Sequence, residues 1–126
     1  MTKIFLAIAS IFAGLAVAGG AFASHALKET ISIKALAIFE TGIKYQMYHA
    51  LALLFVVFLL TQEGISNTLL NSAAISFIVG IILFSGSLYG LSLSGIKWLG
   101  AITPIGGVGF LLGWLFVTIA AIKWQF

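Results

Sequence analysis

The sequence predicts an all-α integral membrane protein, a four-helix bundle with short connections. Hydrophobic residues make up 62% of the 126 positions and charged residues only 7%, against about 25% in soluble domains. Four apolar stretches are separated by the few charges, and each is close to the ~20 residues that cross a bilayer core. The chain has no cysteine, which excludes disulfides and thiolate chemistry. We therefore expect a single transmembrane domain over residues 1–126.

The first span is predicted at residues 4–23, which are apolar or small apart from Ser10. Lys3, the apolar run and Ala21-Phe22-Ala23 are also typical of a secretory signal with its cleavage site. Because the run is longer than a usual signal core, we expect a retained helix.

The second span is predicted at residues 45–61, after a polar and partly interfacial segment at 24–44. Glu40 and Lys44 are spaced as a helical ion pair, so we expect helix from about Ser32. A helix over 32–61 would be about 45 Å long, more than the bilayer core requires. Tilt or a break at Gly42 is the expected adjustment.

The third span is predicted at residues 69–93, after a polar turn at 62–68 in which Ser66 or Asn67 caps the helix. Lys97 and Trp98 then form a connection with interfacial character.

The fourth span is predicted at residues 104–123. Thr103 is a plausible N-cap, and Pro104 suits the first helical position because no backbone N–H is needed there. Residues 99–102 are expected to form a short irregular or re-entrant piece.

The lysine distribution predicts the orientation. Four spans place both termini and the 62–68 turn on one side, with two lysines, and leave four lysines on the other. The lysine-rich side is expected inside, which puts the termini outside. We expect a membrane of the plasma or inner membrane type. The side of the termini carries Lys3 and Lys123, and the other side carries Lys28, Lys34, Lys44 and Lys97.

Small residues at a spacing of four predict close helix packing. The pairs are Gly86 with Gly90 on the third span and Gly109 with Gly113 on the fourth. Packing within the bundle is the favoured interpretation over a dedicated homodimer motif.

The sharpest polar group lies where the second span begins. Tyr45, Gln46 and His49 share one helical face, and His25 lies at the other end of the preceding polar connection. Two histidines could ligate a metal or relay a proton, but a metal site normally needs three or four ligands. Hydrogen bonds between helices are the favoured interpretation, with no metal and no cofactor expected.

A second polar group follows on the third span, where Ser85, Tyr89 and Ser92 fall on one face. Serine hydroxyls can bond back to their own helix, so this stripe requires no ligand. The alternative is a polar seam facing Gln46 and His49, suited to a quinone headgroup, a proton or a small solute. The full candidate cluster comprises His25, Tyr45, Gln46, His49, Ser85, Ser87, Tyr89, Thr103 and Pro104.

Four motifs in order resemble the family called domain of unknown function 423, which includes small bacterial membrane proteins and the eukaryotic transmembrane protein 256. They lie at residues 20–27, 39–53, 84–89 and 99–114. Ala23-Ser24 stands where the family pattern usually has Gly-Ala, a small-for-small exchange. The resemblance implies a retained first helix and four membrane helices, and it supplies no function.

The function predicted is that of a non-enzymatic accessory or assembly subunit of a larger membrane complex. Size, packing motifs and the lack of a catalytic set favour it, since the chain has no aspartate for a Ser-His-Asp arrangement. The rival is a small transport or ligand-binding protein that uses the polar seam, and an enzyme acting on a lipid or quinone is third. Expected partners are the bilayer and other membrane-protein subunits, not nucleic acid, which requires clustered basic residues.

Overall fold

The computed structural model describes all 126 residues and contains helices but no strands. A π-helical turn at Ile81–Ser85 joins the third helix to the fourth, and 3₁₀ turns at Leu27–Glu29 and Lys97–Ala101 precede the helices that begin at Ile33 and Thr103. Four helical segments are long and apolar enough to cross a membrane, which confirms the predicted fold class. The helices are α1 (Thr2–His25), α2 (Ile33–Leu59), α3 (Asn67–Gly80), α4 (Gly86–Ser94) and α5 (Thr103–Ile122).

Serine side chains begin two of the helices. The Ser32 hydroxyl accepts a hydrogen bond from the Ala35 amide at 3.1 Å, and Ser66 accepts from the Leu69 amide at 3.3 Å. Each satisfies one of the amides that a helix start leaves without a partner. The prediction of Ser66 as an N-cap is confirmed.

The expected break at Gly42 is wrong, since α2 continues through it to Leu59. A single glycine costs a helix only about 1 kcal/mol. At this position it also gives room to a neighbouring ring, because a Cβ on Gly42 would lie 2.6 Å from Cε1 of Tyr89. α2 is therefore one unbroken helix, and tilt is the adjustment that remains expected for its length.

The start of α5 also differs from the prediction. Ile102 is the N-cap, and Thr103 is already the first helical residue. The Thr103 hydroxyl forms a hydrogen bond with Ser87 and does not cap its own helix. The residues before it, expected to be irregular, form the 3₁₀ turn.

The bundle has two central and two outer spans. α1 packs along α2, α2 contacts α3 and α4, and α5 packs on α3 and the π turn. α2 and the α3–α4 segment are therefore central. The outer helix α1 buries a single narrow stripe, formed by Phe5, Ala9, Ala16 and Ala23.

The C-terminal residues form hydrogen bonds with the turn between α2 and α3. Trp124 Nε1 donates to the Glu63 carbonyl at 2.9 Å, and the Gln125 amide donates to the Gly64 carbonyl at 3.0 Å. Gly64 has a φ of 78°, a conformation that side chains disfavour. These contacts place the C-terminus and the 62–68 turn on the same side of the bundle.

Candidate functional site

Gln46 connects three of the helices. Its side chain is only 5% exposed, and its Nε2 donates to the Phe12 carbonyl of α1 at 2.7 Å. Its Oε1 accepts from the Tyr89 hydroxyl of α4 at 2.6 Å. A buried amide in lipid requires such partners, and here they tie α1 and α4 to α2.

Ser85 adds a second connection between α2 and the third span. Its hydroxyl donates to the Gly42 carbonyl at 2.7 Å, and both groups are buried. The Tyr89 ring packs one turn further along, over Gly42 and with its centroid 4.9 Å from that of Phe39. The π turn contributes to this placement, since an extra residue in a turn rotates the following side chains by about 100°.

His49 connects α2 to α5. Its Nε2 lies 3.1 Å from Nε1 of Trp114, whose N–H is the donor. Its Nδ1 lies 2.9 Å from the Tyr45 carbonyl. The ring is stacked on Phe110, with centroids 3.6 Å apart and planes 7° apart.

These contacts determine the tautomer of His49. An indole N–H can only donate, so Nε2 must be unprotonated and Nδ1–H must donate to the Tyr45 carbonyl. Both ring nitrogens of the neutral ring are therefore occupied. Metal binding or proton transfer at Nε2 would require displacement of Trp114, and no three His, Asp or Glu side chains come together to hold a metal.

Ser87 and Thr103 connect α4 to the start of α5. Their hydroxyl oxygens lie 2.6 Å apart. Ser87 also donates to the Phe84 carbonyl at 2.9 Å, so Thr103 is the donor to Ser87. Pro104 follows in the first turn of α5.

One member of the predicted cluster lies apart from the rest. His25 is exposed at the end of α1, whereas His49 lies sixteen residues into α2, about 24 Å along the helix. Tyr45 is 37% exposed, but its ring lies beside that of His49, with centroids 6.3 Å apart. Gln46 and His49, which were expected to share one face of α2, contact different helices. Gln46 contacts α1 and α4, whereas His49 contacts α5.

The four predicted packing glycines behave differently from one another. A Cβ on Gly109 would lie 3.2 Å from Gly80 Cα, and one on Gly113 would lie 2.5 Å from the Phe77 ring, so both face α3. Gly90 faces Leu99 of the 3₁₀ turn. Gly86 does not pack against another helix, since a Cβ there would meet nothing within 4 Å.

Gly86 instead lines a cleft of about 320 Å³ between α1, α2 and the third span. We call it the α1 cleft. Gln46 and Tyr89 lie in its wall, and the remaining lining is mostly apolar. A second cleft of about 430 Å³, here the α5 cleft, lies on the other side of α2, with His49 and Trp114 in its wall.

Two hydrogen-bond partners were not predicted from the sequence: the Trp114 indole, which bonds to His49, and the Phe12 carbonyl, which bonds to Gln46. Trp114 could have been found, because it lies mid-span in α5 and a buried indole N–H usually has a partner. The other tryptophans, Trp98 and Trp124, lie near helix ends, where interfacial tryptophan is common. Phe12 offers only its backbone, and nothing in the residue type indicates that role.

Fold and site together define a small four-helix integral membrane protein in which Gln46, His49 and Ser85 form hydrogen bonds between spans. The chain belongs to the family described as "Protein of unknown function (DUF423)", whose pattern matches residues 19–107.

Curated relatives match nearly the whole chain. The UPF0382 membrane protein YwdK of Bacillus subtilis is 46% identical over 123 residues, 97% of this chain and 98% of its own. A UPF0382 membrane protein of Haemophilus influenzae is 37% identical over 123 residues, 98% of this chain and 97% of its own. No solved structure matches the chain.

Proposed function

We propose that the protein is a non-enzymatic accessory or assembly subunit of a larger membrane complex. The observation that carries this proposal is that the buried polar side chains, apart from the Asn71 Oδ1 atom, bond to one another or to backbone. Gln46, Ser85 and His49 each connect two or more spans. A catalytic or transport residue needs a group free to meet its substrate, and these groups are occupied apart from one N–H of the Gln46 amide.

The outer surfaces support a partner within the membrane. On α1, small residues recur along the side that faces away from the bundle, and Gly14 there has no neighbour within 4 Å of a Cβ. Small residues let another helix approach closely, which drives association in lipid. The exposed small positions of α1 are Ala7, Ser10, Gly14, Ala18, Ala21 and Ser24.

A second outward face lies on α2 and is rich in aromatic side chains. Tyr48, Phe55 and Phe58 recur at helical spacing, and each is more than half exposed. Aromatic residues are enriched in protein interfaces. The proposed orientation is that of the lysine distribution, with the termini outside a plasma or inner membrane.

The experiment is to tag the protein, solubilise its native membrane in a mild detergent, and resolve the extract by size with mass spectrometry. A subunit should comigrate with one large assembly at a defined stoichiometry. Gly14→Leu places a bulky side chain on the outward face of α1, and we expect it to release the protein from that assembly. Gly86→Leu is the matched control, because that glycine is also free of neighbours but lines the α1 cleft. A monomer or small homo-oligomer would contradict the proposal.

One observation favours a second candidate, a protein that binds a lipophilic ligand. The Gln46 amide has two N–H groups, of which the Phe12 carbonyl takes one. The other is available to a carbonyl oxygen in the α1 cleft, whose apolar walls suit a quinone ring or a similar lipophilic group.

The same two variants test this candidate with their roles exchanged. In nanodiscs, a photoreactive short-chain quinone should label the α1 cleft of the wild type. Gly86→Leu should fill the cleft and abolish that labelling, and Gly14→Leu should retain it. Equal labelling of all three proteins would exclude this cleft as a ligand site.

A further inference from the structure

A third cleft lies at the membrane surface, away from the polar connections. It has a volume of about 490 Å³ and lies between the start of α2 and the connection from α4 to α5. We call it the basic groove. Its lining residues are Ser32, Lys34, Ala35, Ile38, Leu91, Ser92, Gly95 and Lys97.

The charges of the basic groove have one sign. Lys34 comes from α2 and Lys97 from the connection that follows α4, so two ammonium groups far apart in sequence line one groove. None of the three carboxylates of the chain, Glu29, Glu40 and Glu63, lines it. The groove therefore attracts an anion, and nothing in its own lining neutralises it.

Polarity changes along the groove in the direction of the bilayer normal. Lys34 lies near the start of α2, and Ile38 lies one turn, about 6 Å, deeper. Leu91 forms the apolar wall on the other side. Trp98, which follows Lys97, is 67% exposed, as is typical of the headgroup level. A charged rim above an apolar floor fits a molecule with an anionic head and a hydrocarbon chain better than a free anion.

The apolar floor leads toward the α5 cleft. Along α2, Ile38 is followed at helical spacing by Tyr45, and Phe84 of the π turn precedes the α4 helix that carries Leu91. Tyr45 and Phe84 line the α5 cleft. A chain that leaves the basic groove can therefore continue along the same side of α2.

We propose that the basic groove binds an anionic phospholipid, with Lys34 and Lys97 on either side of its phosphate and an acyl chain over Ile38 and Leu91. The groove lies on the lysine-rich side, which the proposed orientation places in the cytoplasmic leaflet, where anionic lipids are concentrated. The site is independent of the α1 cleft and of any protein partner.

The test is native mass spectrometry of the purified protein, titrated with phosphatidylglycerol or phosphatidylcholine. Lys34→Gln/Lys97→Gln should weaken binding of phosphatidylglycerol about tenfold or more, since each lysine near an anionic lipid contributes substantially. Lys28→Gln/Lys44→Gln removes the same charge from the same side of the membrane outside the groove, and should weaken binding less than about twofold. Lys34→Arg/Lys97→Arg keeps the charge and should retain binding.

The alternatives give different results. Equal loss in the two glutamine variants would mean that phosphatidylglycerol senses only the general positive charge, and would overturn the proposal. Unchanged binding in Lys34→Gln/Lys97→Gln would do the same. Millimolar inorganic phosphate should not displace the lipid, and full displacement would identify a free-anion site instead. Thermal unfolding of each variant checks that the fold is retained.

Discussion

On the α5 side of the bundle, aromatic rings lie in close contact with glycines. On the α1 side, the glycines Gly19 and Gly86 line the α1 cleft. A Cβ on Gly80 would lie 2.5 Å from the Phe110 ring, and one on Gly106 would lie 2.7 Å from Phe84 Cα. On the α1 side, the cleft stays open beside Gly86, which has no neighbour. Both outer helices are held by dispersion and hydrogen bonds in lipid, but only α5 brings its glycines against the backbone of a neighbouring helix. The close neighbour of Gly19 on α1 is the Ile43 side chain.

The hydrogen bonds differ in the same way. His49 has both ring nitrogens occupied and lies between Phe110 and Trp114. Gln46, one turn away, makes two hydrogen bonds and has one N–H to spare. The α5 side therefore combines close backbone packing with a fully hydrogen-bonded histidine. The unused hydrogen-bond donor of the two polar groups, one N–H of Gln46, lies on the α1 side.

The largest effect is expected where backbone meets backbone on the α5 side. Gly106→Ala forces a methyl group against Phe84 Cα and should lower the free energy of unfolding by about 3 kcal/mol. Gly107→Ala is the control, because its Cβ would lie 3.9 Å from Phe84 Cδ2, and should stay within about 0.5 kcal/mol. Unfolding by dodecyl sulfate in mixed micelles measures both. Equal stability of the two variants would contradict the close backbone packing that we assign to the α5 side.

His49→Ala should have the next largest effect. The variant loses the stack on Phe110 and leaves the Trp114 N–H without its partner. We expect a loss of about 1–2 kcal/mol in the same unfolding experiment. Wild-type stability in this variant would mean that the histidine is retained for another role.

On the α1 side, Gln46→Leu should lower stability by about 1 kcal/mol and Tyr89→Phe by about 0.6 kcal/mol. The glutamine variant loses two hydrogen bonds and the tyrosine variant loses one. Thermal unfolding in detergent gives the order. A larger loss for Tyr89→Phe would contradict the assignment of Gln46 as the central member.

The smallest effect is expected on the outward face of α1. Gly14→Leu adds a side chain where no atom is within 4 Å of a Cβ, so the stability of the isolated protein should change by less than about 0.5 kcal/mol. A loss above that value would show that this face packs within the bundle, and would weaken the use of the variant as a probe of partners.

Much of the fold could be predicted because lipid imposes simple rules on a sequence. Span lengths, the Ser66 cap and the packing of Gly113 follow from hydropathy, capping chemistry and small-residue spacing. The π turn was not predicted from the sequence. Gly80, just before it, and Phe84, within it, contact α5 closely, and such tertiary contacts cannot be read from a local pattern. The division of Gln46 and His49 between two neighbours was also beyond the sequence, because residues on adjacent faces of a helix can point to different spans.

If the buried polar side chains stabilise the bundle through hydrogen bonds between spans, a double-mutant cycle should detect the coupling most directly. His49→Ala, Trp114→Phe and the double variant are unfolded in mixed micelles, and the coupling free energy is taken from the three differences. We expect a coupling free energy of about 1 kcal/mol between His49 and Trp114, within the range of hydrogen bonds between membrane helices. Single effects that add to within about 0.3 kcal/mol would contradict it.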